Sequence, residues 1–175
     1  MELFEAIDQR HSYRGTFKNL PISRDDLRRI VQAGLQAPSG CNGQTTSFVI
    51  IDQPALIEQI ALIVPKSFVK AASALIVCII DPTPLSREYS FALEDCAAAV
   101  ENMLLAITAL GYATVWLDGF LREAGRGEKL TQLLAVPAPR TVQVLLPIGV
   151  PAESWDRKEK LPFEQRAWFN HYGQE

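Results

Sequence analysis

Arg10, His11, Ser12, Tyr13 and Arg14 place cations and a hydroxyl in alternation at the end of the first apolar-periodic stretch of the chain. Ser12 can bond phosphate oxygens, Arg10 can grip them in a bidentate fork, and Arg14, two residues beyond Ser12, could reach another part of the same ligand. Basic residues at a helix end also complement its dipole, so the cluster has an ordinary reading as a solvated helix end. A second set, Ala37, Pro38, Ser39, Gly40, Cys41, Asn42, Gly43 and Gln44, separates an amphipathic helix from the apolar run Phe48, Val49, Ile50 and Ile51. Gly40 and Gly43 would admit backbone angles and close approaches that a side chain blocks, while Ser39, Asn42 and Gln44 carry short, directional hydrogen-bonding groups. The combination suits a flat ligand with polar edges. It equally suits a plain helix-to-strand loop, with Pro stopping the helix and Gly and Asn making the turn.

Other reactive side chains are sparse. Cys41, Cys78 and Cys96 are odd in number and widely spaced, without the paired spacing of zinc sites or disulfide scaffolds, so no metal site is expected. Cys78 lies in an apolar run and Cys96 in an Ala-rich helix, and both read as small core hydrophobes. Cys41 as a nucleophile would need a base, and only His11 and His171 exist to supply one.

The elements that must position these groups follow from periodicity. Leu3, Phe4 and Ile7 form one helical face, and Leu27, Ile30, Val31, Gly34 and Leu35 repeat at helical spacing after Ser23, with Asp26 three residues on. Residues 47–51 form a strand candidate, 55–63 a helix, and 74–80 a fully apolar strand ended by Asp81 and Pro82. Residues 88–110 read as one long helix closed by Gly111, apolar on almost every face from Cys96 to Ile107 apart from Glu101 and Asn102. Such a helix is expected to be buried all round, with a partner subunit covering what the domain does not. Residues 112–116 and 141–148 supply two more strands, with a short helix at 129–134 between them. After Gly149, Trp155, Phe163, Trp168 and Phe169 lie among charges without the period of a packed element, so they need a surface to cover.

A chain of 175 residues with 48% hydrophobic and 21% charged content is of a size for one α+β domain, and no repeat or linker divides it. A net charge of −3 gives no general attraction to nucleic acid or to an anionic membrane, so the basic residues must act locally. Free cysteines, with no signal peptide or long apolar span in view, make the cytoplasm the expected setting.

Taken together, Arg10, Ser12 and Arg14 followed by Pro38, Ser39, Asn42 and Gln44 resemble the nitroreductase family of flavin enzymes, whose members carry Arg-x-Ser-x-Arg/Lys and then Pro-Ser-x-x-Asn-x-Gln. The resemblance continues in order along the chain. Asp118, Gly119 and Phe120 look like the family's Glu-Gly-Phe turn, Leu146 to Gly149 like its last core strand, and Lys158 to Pro162 like its closing basic motif. It implies a nitroreductase-like fold: a mainly antiparallel central sheet flanked by helices, a long buried central helix, and a tail from about residue 150 swapped onto the partner of a homodimer. It implies non-covalent FMN at the dimer interface, NADH or NADPH as donor, and a small electron-poor acceptor such as a nitroaromatic or quinone. The expected alternative is a flavin-binding storage or sensor module with little turnover.

The same resemblance assigns the cofactor site to Arg10, His11, Ser12, Arg14, Pro38, Ser39, Gly40, Asn42, Gln44, Asp118, Gly119, Lys158 and Lys160. Arg10, Ser12, Lys158 and Lys160 would hold the phosphate, with Arg157 as a substitute for Lys160. Arg14 would sit at the pyrimidine edge of the ring, where a fixed positive charge raises the reduction potential; Lys66 or Lys70 could add a second charge. Pro38, Ser39 and Asn42 would come from the other subunit. Asp118 and Gly119 would act through main-chain N–H groups rather than as a general acid. The chain departs from the family pattern in three places: Thr45 and Thr46 replace a common Pro-Trp pair, an extra residue lies between Arg14 and Phe17, and the chain is short.

Overall fold

The computed structural model describes residues 1–84 and 89–174. Among them, four strands, β1 (Thr46–Ile51), β2 (Ala74–Ile80), β3 (Ala113–Thr114) and β4 (Thr141–Gly149), form one sheet of order β1-β2-β4-β3, antiparallel at each pairing. The helices are α1 (Leu3–Gln9), α2 (Arg24–Leu35), α3 (Pro54–Ile63), α4 (Ser67–Lys70), α5 (Ala92–Ala109) and α6 (Arg126–Leu133). The α+β expectation and the antiparallel sheet are borne out. The short helix α4 occupies a stretch that the sequence reads as loop.

Every residue of β2 is buried. Side chains alternate across a strand, so Leu75, Val77 and Ile79 join the core formed with α3, α4 and α6. Ala74, Ile76, Cys78 and Ile80 join the core formed with α2 and α5. This explains why 74–80 reads as an uninterrupted apolar run and not as an alternating one: both faces are covered. Burial pushes the Cys78 thiol pKa up and keeps it inert.

On the second face, α2 begins at Ser23, whose hydroxyl accepts from Asp26 N–H at 3.0 Å. Gly34 lets α2 approach α5 closely, since a Cβ there would lie 2.9 Å from Met103 Cγ. Asn102 donates to the Ala33 carbonyl at 3.1 Å, and the Tyr112 hydroxyl donates to Asp26 at 2.9 Å, so α2 is tied both to α5 and to the residue that leads into β3.

One expectation about helix ends is corrected: the long helix begins at Ala92, and Glu88 lies outside the described residues. Within one chain α5 is buried along its inner side only, and a partner subunit is the expected cover for the rest of α5. Its inner side holds Asp95, Cys96, Ala99, Val100, Met103, Leu104 and Ile107, but Leu93 is 56% exposed and Ala97 and Glu101 face outward, because α2 and the sheet cover only part of its circumference. Similarly, the apolar face of α1 turns outward: Phe4 is 82% exposed and only Ala6 of that helix is buried.

The chain beyond β4 first returns to its own N-terminal segment. Lys18 N–H donates to the Val150 carbonyl, Ala152 N–H to the Thr16 carbonyl, and Phe17 bridges Pro151. The Glu153 carboxylate accepts from both the N–H and the hydroxyl of Thr16 at 2.9 and 3.0 Å, which holds its pKa below the usual range. Trp155 packs edge-on against Tyr13 with centroids 5.8 Å apart, and Arg157 pairs with Asp8 at 2.9 Å. Trp155 therefore finds part of the surface it needs on Tyr13 of its own chain. Farther on, Leu161, Phe163, Phe169 and Tyr172 are exposed.

Tyr112→Phe checks the tie between β3 and α2. Asp26 has its pKa lowered first by the Tyr112 hydroxyl and then by Ser23, so this contribution is present at neutral pH and lost as pH falls through the depressed pKa. The variant should be less stable than wild type at pH 7, with the difference closing under acid conditions; urea titrations across pH measure it, and a pH-independent difference would remove the carboxylate from the account.

Candidate functional site

The loop after α2 is shaped by residues other than those expected. Cys41, Asn42 and Gln44 take left-handed angles, with φ of 53°, 54° and 49°, whereas Gly43 sits at an ordinary φ of −72°. Gly43 is thus not needed for its backbone freedom. Gly40 is needed for its size: a Cβ there would lie 2.3 Å from the Phe91 ring. Non-glycine residues in this region cost roughly 1 kcal/mol or more each, and they persist only where surrounding bonds hold them.

Those bonds are present. Gly40 N–H donates to Asp95 Oδ1 at 2.7 Å, Thr45 Oγ1 donates to Asp95 Oδ2 at 2.6 Å, and Gln44 N–H donates to the Ser39 hydroxyl at 3.1 Å. Asp95 is missed by sequence reasoning, since an acid in the first turn of a helix normally serves the dipole in solvent. The available signal was its place beside a long apolar run. Thr45 explains one departure from the family pattern, because its hydroxyl is engaged; the Thr46 hydroxyl is buried without a partner among the described residues. A small cavity of about 40 Å³ beside the loop is lined by Pro38, Ser39, Thr45, Thr46 and Asp95.

At the N-terminal cluster, Tyr13 N–H donates to the Thr114 carbonyl at 2.8 Å, its ring is buried, and its hydroxyl donates to the Thr16 carbonyl. Gly15 fits beneath it, since a Cβ would lie 2.8 Å from both the Tyr13 hydroxyl and Glu153, so the extra residue is accommodated as a tight bend. Flanking Tyr13, Ser12 is half-buried and Arg14 exposed, with no ion pair to Arg14 among the described residues. Arg10 approaches Glu101 of α5 at 3.6 Å, and the His11 ring donates to the Gln9 carbonyl at 2.9 Å. His11 is thereby turned to its own backbone.

Asp95 and Glu101 stand six residues apart on α5, about 9 Å along the axis and roughly 120° around it. One chain therefore attaches the loop and the Arg10 cluster to different faces of α5. It does not gather them into one pocket.

The turn after β3 is held at Leu117, which exchanges hydrogen bonds with Leu145 at 3.1 and 2.9 Å. Asp118 is engaged by Arg122 through both oxygens, at 2.8 and 3.0 Å. Its N–H and that of Gly119 donate to no protein acceptor among the described residues, and the space before Gly119 is open. Phe120 lies between Lys66 Nζ at 4.0 Å and the Arg126 guanidinium at 3.8 Å, so the Lys66 charge is committed to that ring. Lys70 lines a separate groove with Asp52 and Glu58. In the tail, Arg157 is occupied by Asp8, whereas Lys158 and Lys160 are exposed and make no ion pair among the described residues.

Free main-chain donors, an exposed cation beside a hydroxyl, and a polar loop of fixed shape each offer groups that suit the edges of a flat, anionic ligand. A helix-flanked antiparallel sheet with such loops defines the class of protein. The nitroreductase family profile matches residues 7–77 and 65–150. The chain is 31% identical over 157 residues to a protein of Archaeoglobus fulgidus named provisionally as an NADH dehydrogenase/NAD(P)H nitroreductase, covering 89% of this chain and 88% of that one. It is 24% identical to an NADPH-dependent oxidoreductase of Staphylococcus aureus, covering 97% and 74%. The crystal structure of a nitroreductase family protein from Clostridium novyi superposes with a TM-score of 0.75 at 28% identity, covering 87% of each chain. The chain belongs to the nitroreductase family.

Gly40→Ala should force the Phe91 ring aside and cost about 1–3 kcal/mol, read from urea denaturation. The added Phe91→Ala change removes the ring but leaves the Phe91 Cβ, 2.7 Å from the added methyl, so it should reduce the cost of Gly40→Ala without abolishing it; an equal loss in both backgrounds would show that the Phe91 ring is not what the added methyl meets.

Proposed function

We propose that this chain is an FMN-dependent NAD(P)H oxidoreductase that works as a homodimer on electron-poor acceptors such as nitroaromatics and quinones. The observation that carries the reading is that, within the family-matched region, residues 7–150, Arg14 and the main-chain donors of Asp118 and Gly119 are not used by the fold among the described residues. The donors at Asp118 and Gly119 are free, Arg14 is unpaired among the described residues, and the loop at Pro38 to Gln44 is rigidly presented. The names of the Archaeoglobus and Staphylococcus relatives support NADH or NADPH as the electron source.

These residues fit the cofactor. Arg10 and Ser12, with Lys158 and Lys160, would hold the phosphate; Arg10 would exchange its long contact with Glu101 for a charge-assisted one. Arg14 would face the pyrimidine edge, and the main chain at Asp118 and Gly119 the side of N5 and O4. Bound FMN would supply the carrier that takes a hydride from the nicotinamide donor and passes it to the acceptor. Asp118, whose carboxylate is bonded to Arg122 through both oxygens, would act through its main-chain N–H.

The second copy would bring Pro38, Ser39 and Asn42 to the ring. Separate attachment of this loop and of Arg10 to α5 supports that division, since one chain keeps them apart. The outward Leu3, Phe4 and Ile7, Leu93 of α5, and Phe163, Phe169 and Tyr172 of the tail supply apolar surface for the contact.

Protein reconstituted with FMN under anaerobic conditions should lose the visible flavin band on addition of NADH or NADPH. Bound flavin that neither donor bleaches would favour the storage or sensor reading, and failure to bind FMN would remove the flavin altogether. Arg10→Ala should weaken FMN binding roughly 10- to 100-fold, measured by fluorescence quenching; an unchanged Kd would take Arg10 out of the phosphate site. Arg14→Ala should lower the two-electron potential of bound flavin by about 30 mV or more with the fold intact, in a spectroscopic redox titration.

A further inference from the structure

A single buried carboxylate is hydrogen-bonded to both ends of the loop after α2. Asp95 is 5% exposed, and its oxygens are divided between Gly40 N–H and the Thr45 hydroxyl, one at each end of the left-handed stretch Cys41, Asn42 and Gln44. A carboxylate buried in an apolar helix is unfavourable unless it is hydrogen-bonded, and a hydrophobic residue would pack the α2–α5–sheet core at least as well. Its yield is therefore conformational. Without it, residues 40–45 would lose both attachments to α5 and could relax from their strained angles. The clamp is particular to a chain with Thr at position 45, since the proline of the Pro-Trp pair would offer Asp95 no hydroxyl.

We propose that Asp95 is a positioning residue for the flavin ring: through Gly40 and Thr45 it sets where the main chain from Pro38 to Asn42 meets the isoalloxazine, without touching it. This rests on the FMN reading above. Asp95 thereby acts on the ring's surroundings, not on the phosphate or on the hydride donor.

The test pairs hydrogen exchange of the flavin-free protein with FMN titration of the same variants. In wild type, the amides of Gly40, Asn42, Gly43 and Gln44 are all hydrogen-bonded. Asp95→Ala should speed their exchange at least about tenfold while β2 stays protected, weaken FMN binding at least about tenfold, and shift the visible band of whatever flavin remains bound. Asp95→Asn should restore most of both, because its carbonyl can accept from Gly40 while its amide donates to the Thr45 oxygen. Should Asp95→Ala fail to fold, Thr45→Val removes one of the two attachments alone and should give the same changes at smaller size. Wild-type exchange and spectrum in Asp95→Ala, or in Thr45→Val where the alanine variant does not fold, would overturn the proposal; so would Asp95→Asn behaving as badly as alanine. Wild type that takes up no FMN would overturn the flavin reading and the ring role with it, and exchange alone would then decide whether Asp95 clamps the loop.

Discussion

Burial of β2 on both faces is the constraint that organises this protein. Its seven residues are all apolar and all buried, so helices must lie on each side of the sheet: α3, α4 and α6 on one, α2 and α5 on the other. Burying each larger side chain contributes about 1.5–3 kcal/mol, which makes this strand pair with β1 and β4 the centre against which the rest is built.

Helix α5 is where core and site meet. Its inner side is core, yet it also carries Asp95, which holds the loop after α2, and Glu101, which contacts Arg10. The two attachments are on different faces and more than a helical turn apart. A rigid helix with two polar fixtures keeps the loop after α2 and the Arg10 segment at a constant separation, which suits the proposed site completed by a second copy of the chain. The same rigidity tolerates left-handed angles at Cys41, Asn42 and Gln44, which a freer loop would release.

Much of the architecture was legible from residue patterns. The apolar run at 74–80, the Ser23 cap with Asp26 three residues later, and the Gly111 stop each carry a local physical signal, and each element appears where that signal places it. Element ends were less legible, because α5 starts after Phe91 without a capping side-chain hydrogen bond that the sequence could announce. The helix α4 escaped notice since four residues are too few to show a period. Loop chemistry was misassigned in detail for a similar reason. Glycine advertises conformational freedom, but the freedom at Gly43 goes unused while its non-glycine neighbours are driven into left-handed angles by bonds to residues far along the chain.

By itself, the sequence determined the α+β class, the both-sided burial of β2, and the order of motifs that marks the nitroreductase family, because hydrophobic period and short motifs are local properties. Only the tertiary structure decided that Asp95 is an anchor, that Lys66 is committed to Phe120, that Arg157 belongs to Asp8, and that Trp155 packs on Tyr13. Each of these pairs residues distant in the chain, and whether a charged or aromatic side chain is spent on the fold or left for a ligand depends on which partner folding brings beside it.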